Sequence, residues 1–272
     1  MRSSTASRRY LYTGGILLSI VLAFFILGLF WTPYGINETD SASKFLAPCA
    51  EHIFGTDNLG RDVFSRCLVA ARYTLLVSFA GVAYALVIGT LAGLIAGYNG
   101  GITDKIIMIF SNGIMCFPGI LLALVAVAVF GPSLYNVIWA LGLVFAPTFA
   151  RVYRTSTIEL LGRDYILQAK LMGIHPLRIM FVHILPNLMS QVLPAVIIGL
   201  ANMTLFESGM SYLGLGVQPP AASYGKMLSD AQSYMVSAPW LIIFPTLMLV
   251  CYILGLYFIS EWVRTSVKGG SK

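Results

Sequence analysis

Long stretches without a charged residue recur along the chain, and they constrain its fold more than any other feature. They cover residues 11–30, 73–97, 106–150, 184–206 and 240–260. A helix that crosses a hydrocarbon core of about 30 Å needs about 20 mainly apolar residues, because each residue adds ~1.5 Å. The third stretch is too long for one helix, and Gly131-Pro132-Ser133 near its middle is typical of a turn. We therefore predict an all-α, polytopic transmembrane bundle with six spans.

The composition argues against a soluble globule. Charged residues make up 10% of the chain and hydrophobic residues 58%, whereas a soluble domain carries roughly a quarter charged residues. The net charge of +6 is spread between the apolar stretches and forms no dense run. We therefore interpret the basic residues as determinants of membrane orientation and expect no nucleic-acid partner.

The first apolar stretch has some features of a secretory signal, because Arg2, Arg8 and Arg9 precede it. It is long enough to span the membrane, however, and Trp31-Thr32-Pro33-Tyr34 stands where small residues would mark a cleavage site. A retained first helix is the better interpretation.

The predicted organisation has five parts in chain order. Residues 1–10 form a cytoplasmic N-terminus, residues 11–30 the first transmembrane helix and residues 31–72 an extracytoplasmic segment. Residues 73–262 form a five-helix core with a cytoplasmic loop at 151–183, and residues 263–272 form a cytoplasmic C-terminus.

The distribution of Lys and Arg predicts the orientation. With the N-terminus inside, 12 of the 17 basic residues face the cytoplasm: Arg2, Arg8, Arg9, Lys105, Arg151, Arg154, Arg163, Lys170, Arg178, Arg264, Lys268 and Lys272. The other five are Lys44, Arg61, Arg66, Arg72 and Lys226. Since cytoplasmic loops carry an excess of Lys and Arg, both termini are expected inside.

Three glycines of the second predicted span, Gly89, Gly93 and Gly97, recur at every fourth position. That spacing places them on one helix face, where a neighbouring backbone can approach closely. We expect this face to be a helix contact, although glycine is also simply frequent in membrane helices.

Motifs for cofactor or metal chemistry are missing from the sequence. The only Gly-Lys pair, Gly225-Lys226, stands outside any phosphate-binding pattern, and no H-E-x-x-H occurs. Cys49 and His52 could offer two metal ligands, but a structural zinc site needs four. The predicted spans hold almost no ionisable residue, which argues against secondary transport. We expect a chain without enzymatic activity, metal or bound cofactor.

The segment from Arg163 to Asn187 is the most informative part of the chain. Asp164 can cap the start of a helix, Gly173 can end it in a left-handed turn, and Pro176 can open the next helix. The sequence therefore predicts a bent pair of short helices that form a cytoplasmic elbow. Such an elbow suits docking of another protein, and an interfacial helix on the lipid headgroups explains it equally well.

This segment resembles the EAA loop of binding-protein-dependent ABC importer permeases. Ala169, Gly173, Leu185 and Pro186 match the loop's pattern, whereas Leu167 and Gln168 replace its usual Glu and Ala. Four further stretches agree with the second permease subunit of the dipeptide, oligopeptide and nickel group: residues 52–62, 96–101, Phe117-Pro118 and residues 211–220.

The resemblance implies a type I importer fold and a set of partners. They are a second permease subunit, two cytoplasmic ATPases that bind ATP and magnesium, an extracytoplasmic binding protein and the lipid of a bacterial cytoplasmic membrane. The loop residues expected to contact the ATPase are Gln168, Ala169, Gly173, Ile174, His175, Pro176, Leu185 and Pro186. Alternating access driven by the ATPases is the implied mechanism.

Residues 207–239 are expected to form a loop at the outer mouth of the pathway. Gly214, Gly216, Pro219 and Pro220 would give this loop its shape, although a purely structural turn explains them as well. Peptides are the favoured substrate, with nickel or a metal chelate as the alternative. A membrane receptor or scaffold without a transport cycle is the rival from another class.

Overall fold

The computed structural model describes residues 2–269, and the side chains of residues 8–266. This part of the chain is mainly helical, and it holds no strand beyond one isolated bridge between Thr56 and Asp62. The helices are α1 (Arg2–Phe30), α2 (Val63–Asn99), α3 (Gly101–Met115), α4 (Gly119–Phe130), α5 (Leu134–Leu161), α6 (Asp164–Leu171), α7 (Pro176–Arg178), α8 (Leu185–Tyr212), α9 (Tyr224–Ala231) and α10 (Trp240–Gly269). A π-helical turn at Ile179–Ile184 joins α7 to α8.

Within these residues, five helices are long and apolar enough to cross a membrane. They are α1, α2, α5, α10 and the continuous rod Pro176–Tyr212, which comprises α7, the π-helical turn and α8. The pair α3 and α4 passes the same test only when taken together and is bent by 85°, which is the geometry of a broken sixth span or of a re-entrant loop. The prediction of an all-α transmembrane bundle is confirmed, and the bundle has the six predicted spans when the bent pair counts as one.

The bend corrects the prediction of a regular third span. Residues 106–130 were expected to form one helix, but α3 ends at Met115 and α4 begins only at Gly119. Pro118 precedes α4, where its missing N–H and the restraint it places on Phe117 oppose a continuous helix. The predicted turn at Gly131-Pro132-Ser133 does separate α4 from α5, and the Ser133 side chain caps α5 by accepting from the Asn136 N–H.

The second span begins earlier than predicted. We expected it to start at residue 73, and α2 instead starts at Val63, with Asp62 as N-cap accepting from the Ser65 N–H at 2.7 Å. Arg66 and Arg72 interrupt the uncharged run in the sequence, which hid these first turns. The segment between α1 and α2 therefore covers residues 31–62 and not 31–72, and we call it the cap.

Three other predicted boundaries do not coincide with helix ends, for a related reason. The loop expected at 151–183 is mostly helical, and only residues 162–175 lie between α5 and α7. The outer loop expected at 207–239 starts after Tyr212. The expected C-terminal tail from residue 263 continues α10 as far as Gly269, and residues 270–272 lie outside the described part. Helices longer than a membrane carry charged residues in their ends, so loss of hydropathy does not mark the helix end.

The glycine face of α2 packs directly against α5. A Cβ atom at Gly89 would lie 2.7 Å from the Ala146 carbonyl oxygen, and one at Gly93 would lie 2.5 Å from that of Ala150. A Cβ atom at Gly97 would lie 2.8 Å from the Arg154 carbonyl oxygen. The residue numbers rise together, so the two helices run parallel with their backbones in contact.

Helix α1 lies along the outside of this core and packs antiparallel to α10. A Cβ atom at Gly14 would lie 3.0 Å from the Gly255 carbonyl oxygen, and the rings of Tyr10 and Phe258 stack at 6.2 Å. Near its other end, Gly28 lies against the backbone of Leu68 in α2. Glycine thus permits close approach at both ends of α1.

The two ends of the bundle differ in structure. At one end the cap meets the segment before α10, where the Trp240 ring N–H donates to the Thr56 carbonyl at 3.2 Å and Phe54 stacks on Phe244 at 3.9 Å. The opposite end carries the turn between α2 and α3 and the segment at residues 162–175. We call that segment the elbow.

We expect Gly93→Ala to destabilise the bundle, because the new methyl group would meet backbone atoms that cannot move aside. Overpacking of this kind costs about 1–3 kcal/mol. The thermal unfolding midpoint of the purified chain should fall. Gly113→Ala is the matched control, since a Cβ atom there has no neighbour within 4 Å. Equal midpoints for the two variants would contradict close packing at Gly93.

Candidate functional site

The elbow joins two spanning helices through one short helix and one tight turn. Helix α6 begins at Asp164 itself, and its N-cap is Arg163, which makes no side-chain cap; the predicted capping role of Asp164 is therefore wrong. Gly173 has φ of +73°, so the predicted left-handed turn is present. The Ile174 N–H donates to the Ala169 carbonyl at 3.1 Å, which closes the end of α6.

Helix α6 has one buried face and one exposed face. Ile166 is 0% exposed, and Ala169, one turn later, is also buried, so both anchor α6 on the bundle. Leu171 and Met172 follow at the end of α6 and are 88% and 77% exposed. Within the described residues nothing covers these two large apolar side chains, although the segment that carries them is anchored.

A second anchor of the elbow is electrostatic. The Lys170 ammonium lies 5.2 Å from the centre of the Tyr98 ring, which belongs to the last turn of α2. At the same end of the bundle, the Arg154 guanidinium of α5 pairs with the Asp104 carboxylate of α3, and the distance from Nη2 to Oδ2 is 2.6 Å. These contacts tie α2, α3, α5 and α6 together at the elbow end.

The structure brings most of the predicted coupling residues together and leaves two apart. Gln168, Gly173 and His175 are exposed on the elbow, where Ile174 is half-buried and Ala169 is buried. Pro176 is exposed directly after the elbow, at the start of α7. Leu185 and Pro186 lie on the α7–α8 rod, roughly 13 Å along its axis from Pro176 at ~1.5 Å per residue.

Leu185 and Pro186 lie where the π-helical turn passes into the regular α-helix of α8, away from the elbow. The Leu185 N–H donates to the Met180 carbonyl, five residues back, which is the hydrogen bond of a π-helical turn. Pro186 has no N–H to continue the usual pattern. The Asn187 side chain donates to the His183 carbonyl at 2.7 Å and satisfies one of the acceptors that remain.

The predicted outer-mouth residues lie together at the opposite end, in the loop between α8 and α9. Gly214 has φ of +84°, which favours glycine there. Gly216 lies directly on Ser211 at the end of α8, where a side chain would clash with backbone. Pro219 and Pro220 are joined by a cis peptide bond, and the Pro220 carbonyl accepts from the Asn37 side chain of the cap at 3.2 Å.

Sequence reasoning missed the group that holds this loop. Glu207 was expected to open the loop, but it lies within α8 and is 0% exposed. The Ser211 hydroxyl donates to Glu207 Oε1 at 2.7 Å and accepts from the Val217 N–H at 3.1 Å. In the sequence, Glu207 directly follows the uncharged residues 184–206. This position could have indicated a buried acid at the end of the helix, but we interpreted it as the start of a loop.

The cap is organised by two aspartates. The Asp62 carboxylate accepts a hydrogen bond from the Ser65 N–H in the first turn of α2, and its Oδ1 lies 2.9 Å from His52 Nδ1. Asp57 pairs with the Arg61 guanidinium at 2.7 Å and accepts from the Leu59 N–H at 2.8 Å. His52 thus has a structural partner. Among the described residues no three metal-ligating side chains lie together.

Comparison with known proteins decides the family. Residues 89–269 match the model of the binding-protein-dependent transport system inner membrane component. The chain belongs to this family. The match begins at the first glycine of the α2 face and includes the elbow, the outer loop and the described length of α10, so it covers both regions described above.

Three relatives of this inner membrane component are transport permeases. The dipeptide transport system permease protein DppC of Alkalihalophilus pseudofirmus is 38% identical over 92% of this chain and 83% of its own length. The glutathione transport system permease protein GsiD of Pectobacterium atrosepticum is 37% identical over 93% and 83%. The oligopeptide transport system permease protein OppC of Haemophilus influenzae is 33% identical over 93% and 82%.

A solved structure supports the fold. The MetNI methionine ABC transporter, described in inward-facing conformations, matches with a TM-score of 0.60 at 19% identity. The match covers 74% of this chain and 96% of that chain. The bundle therefore has the fold of an ABC importer permease.

We expect Gly173→Ala to loosen the elbow without unfolding the bundle, because a left-handed conformation costs a residue with Cβ about 1–2 kcal/mol. Hydrogen exchange measured by mass spectrometry should speed up in peptides from residues 164–175. Gly162→Ala is the control, since Gly162 has φ of −82° and a Cβ atom there meets no atom closer than 3.8 Å. Unchanged exchange in Gly173→Ala would refute the strained turn.

We expect Ser211→Ala to destabilise the outer loop, since it leaves the buried Val217 N–H unpaired and removes a bond to Glu207. An unsatisfied buried group costs about 1–3 kcal/mol. The thermal midpoint should fall and exchange in residues 213–223 should rise. Ser208→Ala is the matched control, because the Ser208 hydroxyl makes only a long contact of 3.4 Å with Glu207. Equal effects of the two variants would contradict this role of Ser211.

Proposed function

We propose that this chain is one of two membrane subunits of an ATP-driven importer that carries peptides into the cytoplasm. The observation that supports peptides is that the three relatives described above are permeases for a dipeptide, glutathione and oligopeptides, each matched over more than nine-tenths of this chain. Nickel and metal chelates thus become the weaker substrate alternative.

In this proposal the elbow lies in the cytoplasm and both termini lie inside. The charge distribution supports that orientation, because Arg151, Arg154, Arg163, Lys170 and Arg178 all lie at the elbow end. Excess Lys and Arg on one side is typical of the cytoplasmic face. The cap and the outer loop then face the binding protein, and the membrane is the cytoplasmic membrane of a bacterium.

The exposed apolar pair of the elbow supports its role as the ATPase contact. Leu171 and Met172 stand out from a segment that Ile166 and Ala169 anchor. Large apolar side chains that protrude from a rigid base suit insertion into a groove on a partner protein.

The packing supports transmission of movement from the elbow to the spans. The elbow continues into α5 on one side and into the α7–α8 rod on the other. Because α5 contacts α2 backbone to backbone along the glycine face, displacement of α5 moves α2 with it. The ATPases and the binding protein would bias the same two-state bundle from opposite ends.

The chain's own part in this cycle is mechanical. ATP and magnesium bind to the two ATPase subunits, and a second homologous permease completes the pathway. The chain itself performs no covalent step and holds no cofactor. Its relatives' roles as permeases support this division of labour.

The test replaces both exposed apolar residues in Leu171→Asp/Met172→Asp. We expect at least about tenfold less ATPase to co-purify with the tagged chain, because an unpaired charge buried at an interface costs about 2 kcal/mol or more. Uptake of a labelled dipeptide by cells that express the whole system should fall by a similar factor. The variant chain should keep the wild-type thermal midpoint, because neither side chain packs on the bundle.

The matched control is Val236→Asp, which changes a side chain that is 96% exposed at the opposite end. It should keep the ATPases bound. Full ATPase recovery with Leu171→Asp/Met172→Asp would contradict the docking role of the elbow. Uptake of nickel without uptake of any peptide in the wild type would move the substrate to the alternative while leaving the docking role intact.

A further inference from the structure

An apolar groove runs along the membrane-facing side of the bundle between α1, α2 and α10. It has a volume of about 650 Å³. The residues that line it are Leu18, Val21, Leu22, Phe25, Leu29, Arg72, Leu75, Leu76, Phe79, Ala80, Tyr252 and Leu256. Leu22, Leu76 and Phe79 remain exposed within the described structure, so α1 leaves the groove open along its length.

The groove has the length of one leaflet. Its α1 residues run from Leu18 to Leu29, about 16 Å at ~1.5 Å per residue. Half of a hydrocarbon core of about 30 Å is about 15 Å. Helix α1 approaches α10 closely at Gly14 and α2 closely at Gly28, and the groove extends from one turn after the first contact to the residue after the second.

The two ends of the groove are chemically different. At its inner end, Tyr252 and Leu256 of α10 close it, and the Tyr252 hydroxyl lies 3.3 Å from that of Ser78. At its end toward the cap lies Arg72, the first of the α2 residues that line it and the only charged one among them. A cation therefore marks the end nearer the membrane surface.

Arg72 has no hydrogen bond or ion pair with any described residue. Arg66, nearly two turns earlier in α2, is buried, donates to the Ile36 carbonyl at 3.3 Å and lies 3.9 Å from Asp57. An exposed guanidinium beside hydrocarbon is unfavourable unless it reaches the interface and finds an anion. Its planar donors match a phosphate with two parallel bonds.

We propose that this groove binds one glycerophospholipid from the leaflet on the cap side of the membrane. One acyl chain lies in the groove between α1 and α2, and the phosphate pairs with Arg72. The groove is complementary to this ligand. Its apolar walls are as long as one acyl chain in a leaflet, and Arg72 at the outer end carries the charge opposite to that of the phosphate. The lipid then fills the gap that α1 leaves between its two glycine contacts.

The test measures phospholipid that stays with the tagged full-length chain and its co-purifying subunits in native mass spectrometry. We expect the wild type to retain a phospholipid that Arg72→Leu loses by at least about tenfold, the scale of one charge-assisted contact. Arg72→Lys should retain part of it. Lys44→Leu is the matched control, because it removes one exposed positive charge at the same end, outside the groove, and should retain the lipid fully.

A second variant tests the chain-binding half of the site. Ala80→Phe fills the groove and keeps Arg72, so it should also lose the lipid. Adding phospholipid back to delipidated protein should raise the thermal midpoint of the wild type and not that of Arg72→Leu. Equal retention by wild type and Arg72→Leu would overturn the proposal. Transfer of a photocrosslinker at Phe79 to the second permease, with no lipid adduct, would assign the groove to a protein helix.

Discussion

The contact of α2 with α5 is the interaction on which the rest of the bundle depends. In a membrane the apolar side chains gain little by leaving lipid for one another, so helices associate through close packing and polar contacts. Gly89, Gly93 and Gly97 remove the side chains that would hold the two backbones apart. The pair forms a rigid axis, and α1, α8 and α10 pack around it.

The elbow and the outer loop depend on that axis in different ways. The elbow continues directly from α5, and Ile166 and Ala169 fasten it to the bundle by apolar burial. The outer loop is fastened by hydrogen bonds instead, through Ser211 between Glu207 and the Val217 N–H. One end thus presents apolar side chains on a firm base, and the other presents a loop shaped by glycine and proline. The difference suits two different protein partners.

Three charged residues within the long helices have partners that the fold supplies. Arg154 of α5 meets Asp104 of α3, Arg66 meets the cap, and Glu207 meets two serines of its own helix. The partners of Arg154 and Arg66 are distant in sequence, and those of Glu207 lie within one turn of its own helix. The hydropathy pattern therefore does not reveal these pairs. Arg72 differs from these residues, since the described structure offers it apolar walls and no anion. In the proposed complex, the phosphate of a lipid headgroup supplies the matching charge.

The all-α membrane class, the positions of the apolar stretches, the glycine contact face and the left-handed turn at Gly173 could be predicted from the sequence alone, because hydropathy, four-residue spacing and backbone freedom are local properties. The start of α2, the break before Gly119 and the distance of Leu185 and Pro186 from the elbow became visible only in the folded structure. Helices longer than the membrane is thick carry charged residues near their ends, so a drop in hydropathy does not mark where such a helix ends. Burial of Glu207 likewise needed the fold, since a carboxylate is tolerated there only once serine hydroxyls and the packed loop surround it.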